Sequence, residues 1–249
     1  MEKLVFVLRH ADSAATEAWC AALRTTVAAR LVELAVAGVT VYVRDSAVQD
    51  ALMRMTTMDP PIAAVVTVWV EQSYGPEATA AAEVLGEVAA AVHGYLVTES
   101  VPLRLDDSIP ARTEGFGNLA FLRRPAELTH GEWLRRWQGQ HTTVAIETQA
   151  TFGYTQNVVV RAITQDAPGI DAIVEEQFPA AALTDPLTWY GARDAAEFQD
   201  RVGRMLASVA RIGADRDLDT VSVSRYPVRH PFAAPNSAGA QPKSDTETR

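Results

Sequence analysis

Cysteine is almost absent from this sequence, which has only Cys20 in 249 residues. A single cysteine cannot form an internal disulfide and gives no spacing typical of zinc or thiol-redox sites. The sequence therefore favours a reducing compartment, with Cys20 as a buried core residue. The apolar runs at residues 4–8 and 62–70 are too short for a signal peptide and a membrane span, respectively. We expect a cytoplasmic protein with no membrane partner.

Basic residues are also scarce, with 22 Lys and Arg against 31 Asp and Glu and a net charge of -9. Such a surface repels phosphate backbones, so nucleic acid is not expected as a partner. The five histidines show no metal-ligand spacing, and there is no Gly-rich phosphate loop or serine nucleophile elbow. We therefore expect neither a metal nor another cofactor.

The apolar residues that are present divide the chain into two similar series of elements. Each half follows the order strand, helix, strand, strand, helix, strand. Strands are predicted at 4–8, 39–43, 62–71, 95–103, 118–123, 153–163, 170–178 and 220–228, and helices at 14–37, 76–92, 129–150 and 195–212. Gly38 and Gly94 follow helices and are predicted to end them.

Short identities between the halves indicate a tandem repeat. Thr25-Thr-Val-Ala28 in the first helix recurs as Thr142-Thr-Val-Ala145 in the third, and Val101-Pro102 matches Tyr226-Pro227. The predicted domains are a degenerate repeat at 1–104, a linker at 105–116, a repeat carrying the site at 117–229, and a disordered tail at 230–249. The tail lacks apolar periodicity, so it cannot offset the entropy of ordering.

The helix at 129–150 is the most informative stretch. Thr129 and Glu132 form a capping-box pattern that marks its start. Trp133, Trp137 and His141 then recur every four residues, which places the histidine on the apolar face. A histidine in that position is either a core residue with satisfied ring nitrogens or an acid, base or ligand at a pocket.

Three motifs around this helix resemble the EthD family. They are Asn118-Leu-Ala-Phe-Leu-Arg-Arg-Pro125, the Thr129 to His141 helix start, and Gly153-Tyr-Thr-Gln-Asn-Val-Val-Val160. The resemblance covers residues 117–228. It implies an α+β fold in which two ferredoxin-like (βαββαβ) repeats form an intramolecular dimeric α+β barrel. The open sheet face of each repeat would be covered by the other, and the linker makes their association intramolecular. The sequence allows either a monomer or a homo-oligomer of the fused barrel.

The candidate site lies in the second half. When the shared Thr-Thr-Val-Ala motifs are aligned, Arg24 occupies the position of His141, and Thr67 occupies that of Glu175. This asymmetry predicts one pocket per chain, built by the second repeat and roofed by the first. Either Glu175 or Glu176 should face a pocket or water, since a buried unpaired carboxylate is costly. The resemblance favours Glu175, although exposure of both is an alternative.

We predict His141 and Glu175 as catalytic residues. The candidate substrate-binding residues are Trp137, Tyr154, Asn157, Arg123, Trp189 and Tyr190. The last two lie in an apolar loop with turn signals, which suits a lid over a flat ligand, or equally a loop packed on the core.

The family resemblance implies binding of a small hydrophobic, aromatic or polyketide-like molecule. The leading hypothesis is cofactor-free proton-transfer chemistry of a lyase, dehydratase or cyclase type, with His141 as the acid or base. One alternative is a non-catalytic carrier or accessory protein, which needs the apolar cavity but not His141. A second is a haem-binding or haem-degrading protein, because a histidine on this helix is similar to that of haem-degrading members of the superfamily.

Overall fold

The computed structural model describes residues 1–11, 15–105 and 111–232, and it contains a closed, antiparallel, eight-stranded barrel. The strands are β1 (Glu2–Arg9), β2 (Gly38–Val43), β3 (Ile62–Val70), β4 (Ala91–Leu103), β5 (Phe116–Leu122), β6 (Gly153–Ala162), β7 (Ala172–Phe178) and β8 (Asp219–Arg229). The helices are α1 (Glu17–Ala22), α2 (Ala28–Glu33), α3 (Pro76–Gly86), α4 (His130–Arg136), α5 (Thr142–Thr148), α6 (Pro186–Trp189) and α7 (Ala195–Ile212). Two π-helical turns, Leu23–Val27 and Trp137–His141, connect α1 to α2 and α4 to α5.

The strand order shows how the two halves share the barrel. Around the barrel it is β1-β3-β2-β8-β5-β7-β6-β4, so each half contributes four neighbouring strands. The halves are joined by the antiparallel pairs β2–β8 and β4–β6. Closure pairs all strands and leaves no free sheet edge, and it covers the face of each half-sheet that its helices leave open.

The apolar core is divided by the barrel wall. Inside the barrel, the lumen is packed by Val5, Val7, Tyr42, Val65, Tyr95, Leu119, Phe121, Ile173, Val221 and Val223. Outside it, one core joins the helices of the first half to β1, β2 and β3, and another joins α4, α5 and α7 to β5, β6 and β7. Cys20 is buried in the first of these outer cores, as predicted.

Two predicted helix ends differ from the structure. The first helix ends at Glu33, and Ala35 takes the positive φ of 60° while Gly38 opens β2. Likewise α3 ends at Gly86, and Gly94 lies inside β4. A Cβ at Gly94 would come within 2.9 Å of the Phe6 ring, so this glycine is needed for close strand packing and not for a helix cap.

The predicted linker and tail are described only in part. Residues 106–110 of the linker and 233–249 of the tail lie outside the described residues. Residues 230–232, predicted to begin the tail, are described, and the Phe232 ring lies 5.5 Å from that of Trp69 on β3. Across the described ranges, no helix combines the length and the apolar character that crossing a membrane requires. The cytoplasmic location stays a prediction.

Candidate functional site

Two cavities lie on opposite faces of the sheet formed by β5, β6, β7 and β8. The first, the helix-side cavity, has a volume of about 670 Å³ and lies between this sheet and α7. Its lining includes Met53, Met55, Asn118, Ala120, His141, Gln149, Tyr154, Val174, Glu176, Trp189, Tyr190, Met205, Val209 and Ile212. The second, the lumen cavity, has a volume of about 130 Å³ at one end of the barrel, and its lining includes Lys3, Thr67, Glu99, Glu175 and Gln177.

Strand alternation assigns the two neighbouring glutamates of β7 to different cavities. Glu176 is in register with Asn118 on β5 and Tyr154 on β6, and these side chains share the helix side. Glu175 points into the lumen. His141 and Glu175, both predicted as catalytic residues, therefore do not share a cavity, because the sheet lies between them. Glu176 shares the helix-side cavity with His141 instead.

Glu176 is the chemically distinctive residue of the helix-side cavity. Only 7% of it is exposed, and Asn118 Nδ2 donates to its Oε2 at 3.1 Å. With the Gln149 amide oriented to satisfy both of its ends, Gln149 Nε2 donates to Glu176 Oε1 at 3.1 Å, and Gln149 Oε1 accepts from Trp189 Nε1 at 3.1 Å. Burial raises the pKa of Glu176 to about 7, and the Asn118 hydrogen bond offsets only part of that effect. A carboxyl that titrates near neutral pH can both take and return a proton.

The roof of this cavity comes from two segments. From the first half, Met55 bridges to Thr220 on β8, so residues 53–57 cover one side. From the second half, Trp189 stacks on Phe178 with ring centroids 4.1 Å apart. Trp189 and Tyr190, predicted either as a lid or as a loop packed on the core, thus line the cavity and also pack on the core.

His141 ends the π-helical turn that follows α4 and faces α7. Its Nδ1 lies 3.0 Å from Ser208 Oγ. Burial, with a smaller contribution from Arg211, lowers its pKa to about 4, so the ring is neutral near pH 7. A neutral imidazole here can donate or accept a hydrogen bond, but it is a weak base.

The pKa of His141 predicts a pH-dependent stability. An unfolded histidine takes up a proton near pH 6.5, whereas folded His141 does so only near pH 4. Its contribution to stability is thus present above pH 6.5 and is lost as the pH falls through 4. We expect His141→Gln to remove this contribution, so that its Tm falls less than that of the wild type between pH 7 and 4.5 in calorimetry. His130→Gln, at an exposed position, is the control. Parallel pH profiles for wild type and His141→Gln would contradict the burial of this ring.

The remaining predicted binding residues do not line the helix-side cavity, except Tyr154. Trp137 is fully buried and lies beside Trp133, with ring centroids 5.2 Å apart. Arg123 forms a salt bridge at 2.7 Å with Asp219, which is fully buried. Asn157 faces the lumen and donates from Nδ2 to Glu175 Oε1 at 2.9 Å. The structure thus places these three side chains in contact with other residues and away from the helix-side cavity.

A network of buried charges that the sequence analysis missed surrounds Glu175. Lys3 Nζ donates to Glu99 at 2.6 Å and to Glu175 at 2.7 Å, and the Tyr42 hydroxyl also donates to Glu175. Although burial opposes ionisation of both partners, the pKa of Glu175 is lowered by Lys3 and the pKa of Lys3 is raised by the two carboxylates. This is a charged cluster at neutral pH. Its one sequence signal was a lone lysine in the apolar run of β1.

Among the described residues of the first half, there is no counterpart of this helix-side chemistry. Arg24, aligned with His141, forms a 2.9 Å salt bridge with Glu17 and lies over the Tyr226 ring. The space between its helices and sheet is packed with apolar side chains, among them Phe6, Leu23, Val27 and Leu31. The candidate helix-side site is thus built mainly by the second half, with one wall from the first.

Comparison with known proteins supports the fold. No family model and no curated protein matches the chain. Its solved structural neighbours include an "anthrone oxidase-like protein", 12% identical with a TM-score of 0.51, covering 92% of this chain and 91% of that chain. They also include a "putative monooxygenase" from Lactobacillus acidophilus NCFM, at 10% identity, TM-score 0.43 and coverages of 90% and 93%. A third is a "Putative monooxygenase" from Fusobacterium nucleatum subsp. nucleatum ATCC 25586, at 6% identity, TM-score 0.44 and coverages of 92% and 92%. The first of these neighbours shares the overall fold of this chain.

Proposed function

We propose that this protein is an enzyme that binds a small hydrophobic, aromatic molecule in the helix-side cavity and transfers a proton on it without a cofactor. The observation that carries the proposal is Glu176, a buried carboxyl with a pKa of about 7 in a largely apolar cavity. Among the described residues, no basic side chain lowers the pKa of Glu176. A purely structural carboxyl in such a place would cost stability that its hydrogen bonds offset only in part.

The reaction class follows from this arrangement. The Glu176 carboxylate removes a proton from an acidified C–H of the bound molecule, and the electron pair stays on that carbon. In a dehydration, the neighbouring C–O bond then breaks, and the leaving hydroxide takes the proton back from Glu176 as water. Asn118 and Gln149 hold the carboxyl in position during both transfers. These proton transfers and the loss of water need no oxidant, which is typical of a lyase, dehydratase or cyclase.

The size and lining of the cavity define the substrate class. A volume of about 670 Å³ lies in the range of roughly 300–1,000 Å³ typical of small-molecule pockets. Trp189, Tyr190 and Tyr154 provide flat aromatic surfaces, and Met53 and Met55 provide adaptable ones. Such a lining favours a fused-ring or polyketide-like molecule with few polar groups.

Oxidation is the second candidate function. The carbanion that Glu176 would generate is electron-rich, and dioxygen is the co-reactant that would bond to it and accept its electrons. The peroxide anion that forms takes up the proton held by Glu176, and the resulting hydroperoxide then loses water to leave a ketone. The names of the structural neighbours, an anthrone oxidase-like protein and two putative monooxygenases, agree with such chemistry. An oxygen electrode separates the two candidates, because only the oxidase consumes dioxygen as the substrate disappears.

The first experiment identifies what co-purifies with the protein. Native mass spectrometry together with a visible absorption spectrum separates an aromatic ligand from haem, which would show a Soret band. A bound ligand that is released unchanged, with no turnover of related aromatic ketones or alcohols, would favour the carrier. The neutral His141 is a chemically suitable iron ligand, so the haem alternative is tested by adding haemin as well.

We also propose the finer architecture. The order β4-β1-β3-β2 of the first half recurs as β8-β5-β7-β6 in the second, which supports two ferredoxin-like repeats at 1–104 and 117–229. Together with the three EthD-like motifs, this order supports an EthD-like, fused-repeat barrel.

Filling the helix-side cavity should abolish ligand binding. Val174 on β7 lines the cavity floor, so Val174→Phe places a ring where the ligand would lie. We expect affinity for an aromatic ligand to fall at least tenfold, measured by calorimetric titration. Val158→Phe is the control, because Val158 belongs to the same outer core without lining the cavity. Equal losses in both variants, or no loss in either, would argue against this cavity as the binding site.

A further inference from the structure

The lumen cavity has a polar lining that the folding of the barrel does not require. Most of the lumen is packed with apolar side chains, including Val5, Leu119 and Val223. At one end, however, buried Lys3 forms salt bridges with Glu99 and Glu175, which are 21% and 12% exposed. Replacing a buried ion cluster by apolar residues is often neutral or stabilising. Charged side chains around an open space of about 130 Å³ therefore point to a ligand.

The charge of the lining indicates the sign of that ligand. Among the described residues, four basic side chains, Lys3, Arg104, Arg225 and Arg229, and two acidic ones, Glu99 and Glu175, line the lumen cavity. The two carboxylates are already engaged by Lys3. In a protein with a net charge of -9, this is a local excess of positive charge at the barrel mouth. It favours a small anion, and guanidinium groups match carboxylates in geometry.

An unsatisfied acceptor adds a second requirement. Gln177 lines the lumen cavity and is 4% exposed, yet its Oε1 has no hydrogen-bond donor among the described residues. Leaving such a group unsatisfied costs about 1–3 kcal/mol. A ligand with a hydroxyl or amino donor would satisfy it.

We propose that the lumen cavity is a second binding site, specific for a small carboxylate that also carries a hydrogen-bond donor, such as a hydroxy acid. The carboxylate binds the exposed guanidinium groups of Arg104 and Arg229 at the mouth, and the donor binds Gln177 Oε1. Since water occupies about 30 Å³ in the liquid, the cavity holds about four waters, or an acid of about three or four carbons. The sheet separates this site from the helix-side cavity, so the proposal stands independently of the proposed function.

The test is calorimetric titration of the full chain with L-lactate, propionate and chloride. We expect saturable 1:1 binding of L-lactate, at least tenfold weaker binding of propionate, which lacks the donor, and no saturable binding of chloride. Arg229→Gln, at the exposed mouth, should weaken lactate binding several-fold and reduce its salt dependence.

Variants on the two faces of the sheet make the test specific. Gln177→Leu should remove the preference for lactate over propionate, whereas Ser222→Ala, a buried change on the helix side of β8, should leave it unchanged. If Gln177→Leu does not fold, the lactate and propionate comparison on the wild type still decides. Absence of lactate binding at millimolar concentration, or equal affinity for the two acids, would overturn the proposal.

Discussion

Glu176→Gln should lower turnover at neutral pH by roughly 10²- to 10⁴-fold, the usual contribution of a general acid or base. The substitution keeps the size and the hydrogen-bonding capacity of the side chain but removes the proton transfer. In the wild type, kcat/KM should rise with pH and level off above about 7, because the carboxylate form abstracts the proton. The measurement is a pH series of initial rates on the co-purified compound or its closest available analogue.

The same substitution should stabilise the fold at alkaline pH. Because the pKa of folded Glu176 is raised to about 7 from 4.5, folding is more favourable when this carboxyl is protonated. Its contribution to stability is present below pH 4.5 and is lost as the pH rises through 7. At 1.36 kcal/mol per pH unit, the loss is at most roughly 3 kcal/mol. Glu176→Gln should therefore melt at a higher temperature than the wild type at pH 8, but not at pH 4.

Glu175→Gln is the matched control, one residue away on the opposite face of β7. It removes a charge from the lumen and leaves the helix-side cavity intact. Turnover per folded molecule should stay within a few-fold of the wild type. If Glu175→Gln lost activity and Glu176→Gln kept it, the chemistry would lie in the lumen, and the proposed function would be wrong.

Apolar periodicity was sufficient to predict the order of the elements. The strands of this barrel are buried over most of their length, and the helices carry apolar residues at helical spacing, so both signals were strong. Closure into one barrel was implied by the EthD resemblance, together with the expectation that each half-sheet has helices on only one face. Helix ends were less predictable. Gly94 resembled a helix cap, but its role is set by the Phe6 ring on another strand.

The site was less predictable because β7 is buried on both faces. In such a strand the sequence does not say which side faces the lumen, so Glu175 and Glu176 were equivalent until the register with β5 was known. The π-helical turn at Trp137–His141 also changes the facing of residues that a regular helix would align. Lys3 was missed because its partners Glu99 and Glu175 are 96 and 172 residues away in sequence.

Lys3→Met should be the most destabilising single change in the lumen. Lys3 is 4% exposed and is the shared cation of Glu99 and Glu175. Removing one partner of a buried ion pair typically costs about 3–5 kcal/mol, because the remaining charge is left uncompensated. Urea unfolding at pH 7, followed by tryptophan fluorescence, measures this loss. Combining Lys3→Met with Glu99→Gln and Glu175→Gln should recover most of it, since no buried charge then remains.

The pH dependence of Lys3→Met should have the opposite sign to that of the wild type. In the wild type, the lowered pKa of Glu175 gives stability above about pH 4.5 that is lost on acidification, and the raised pKa of Lys3 gives stability below about 10.5 that is lost in alkali. Without Lys3, burial dominates the pKa of Glu175 and raises it, so acidification neutralises the carboxylate and stabilises the variant. A Lys3→Met protein whose stability falls below pH 4.5 as much as that of the wild type would mean that Lys3 is not what keeps Glu175 ionised.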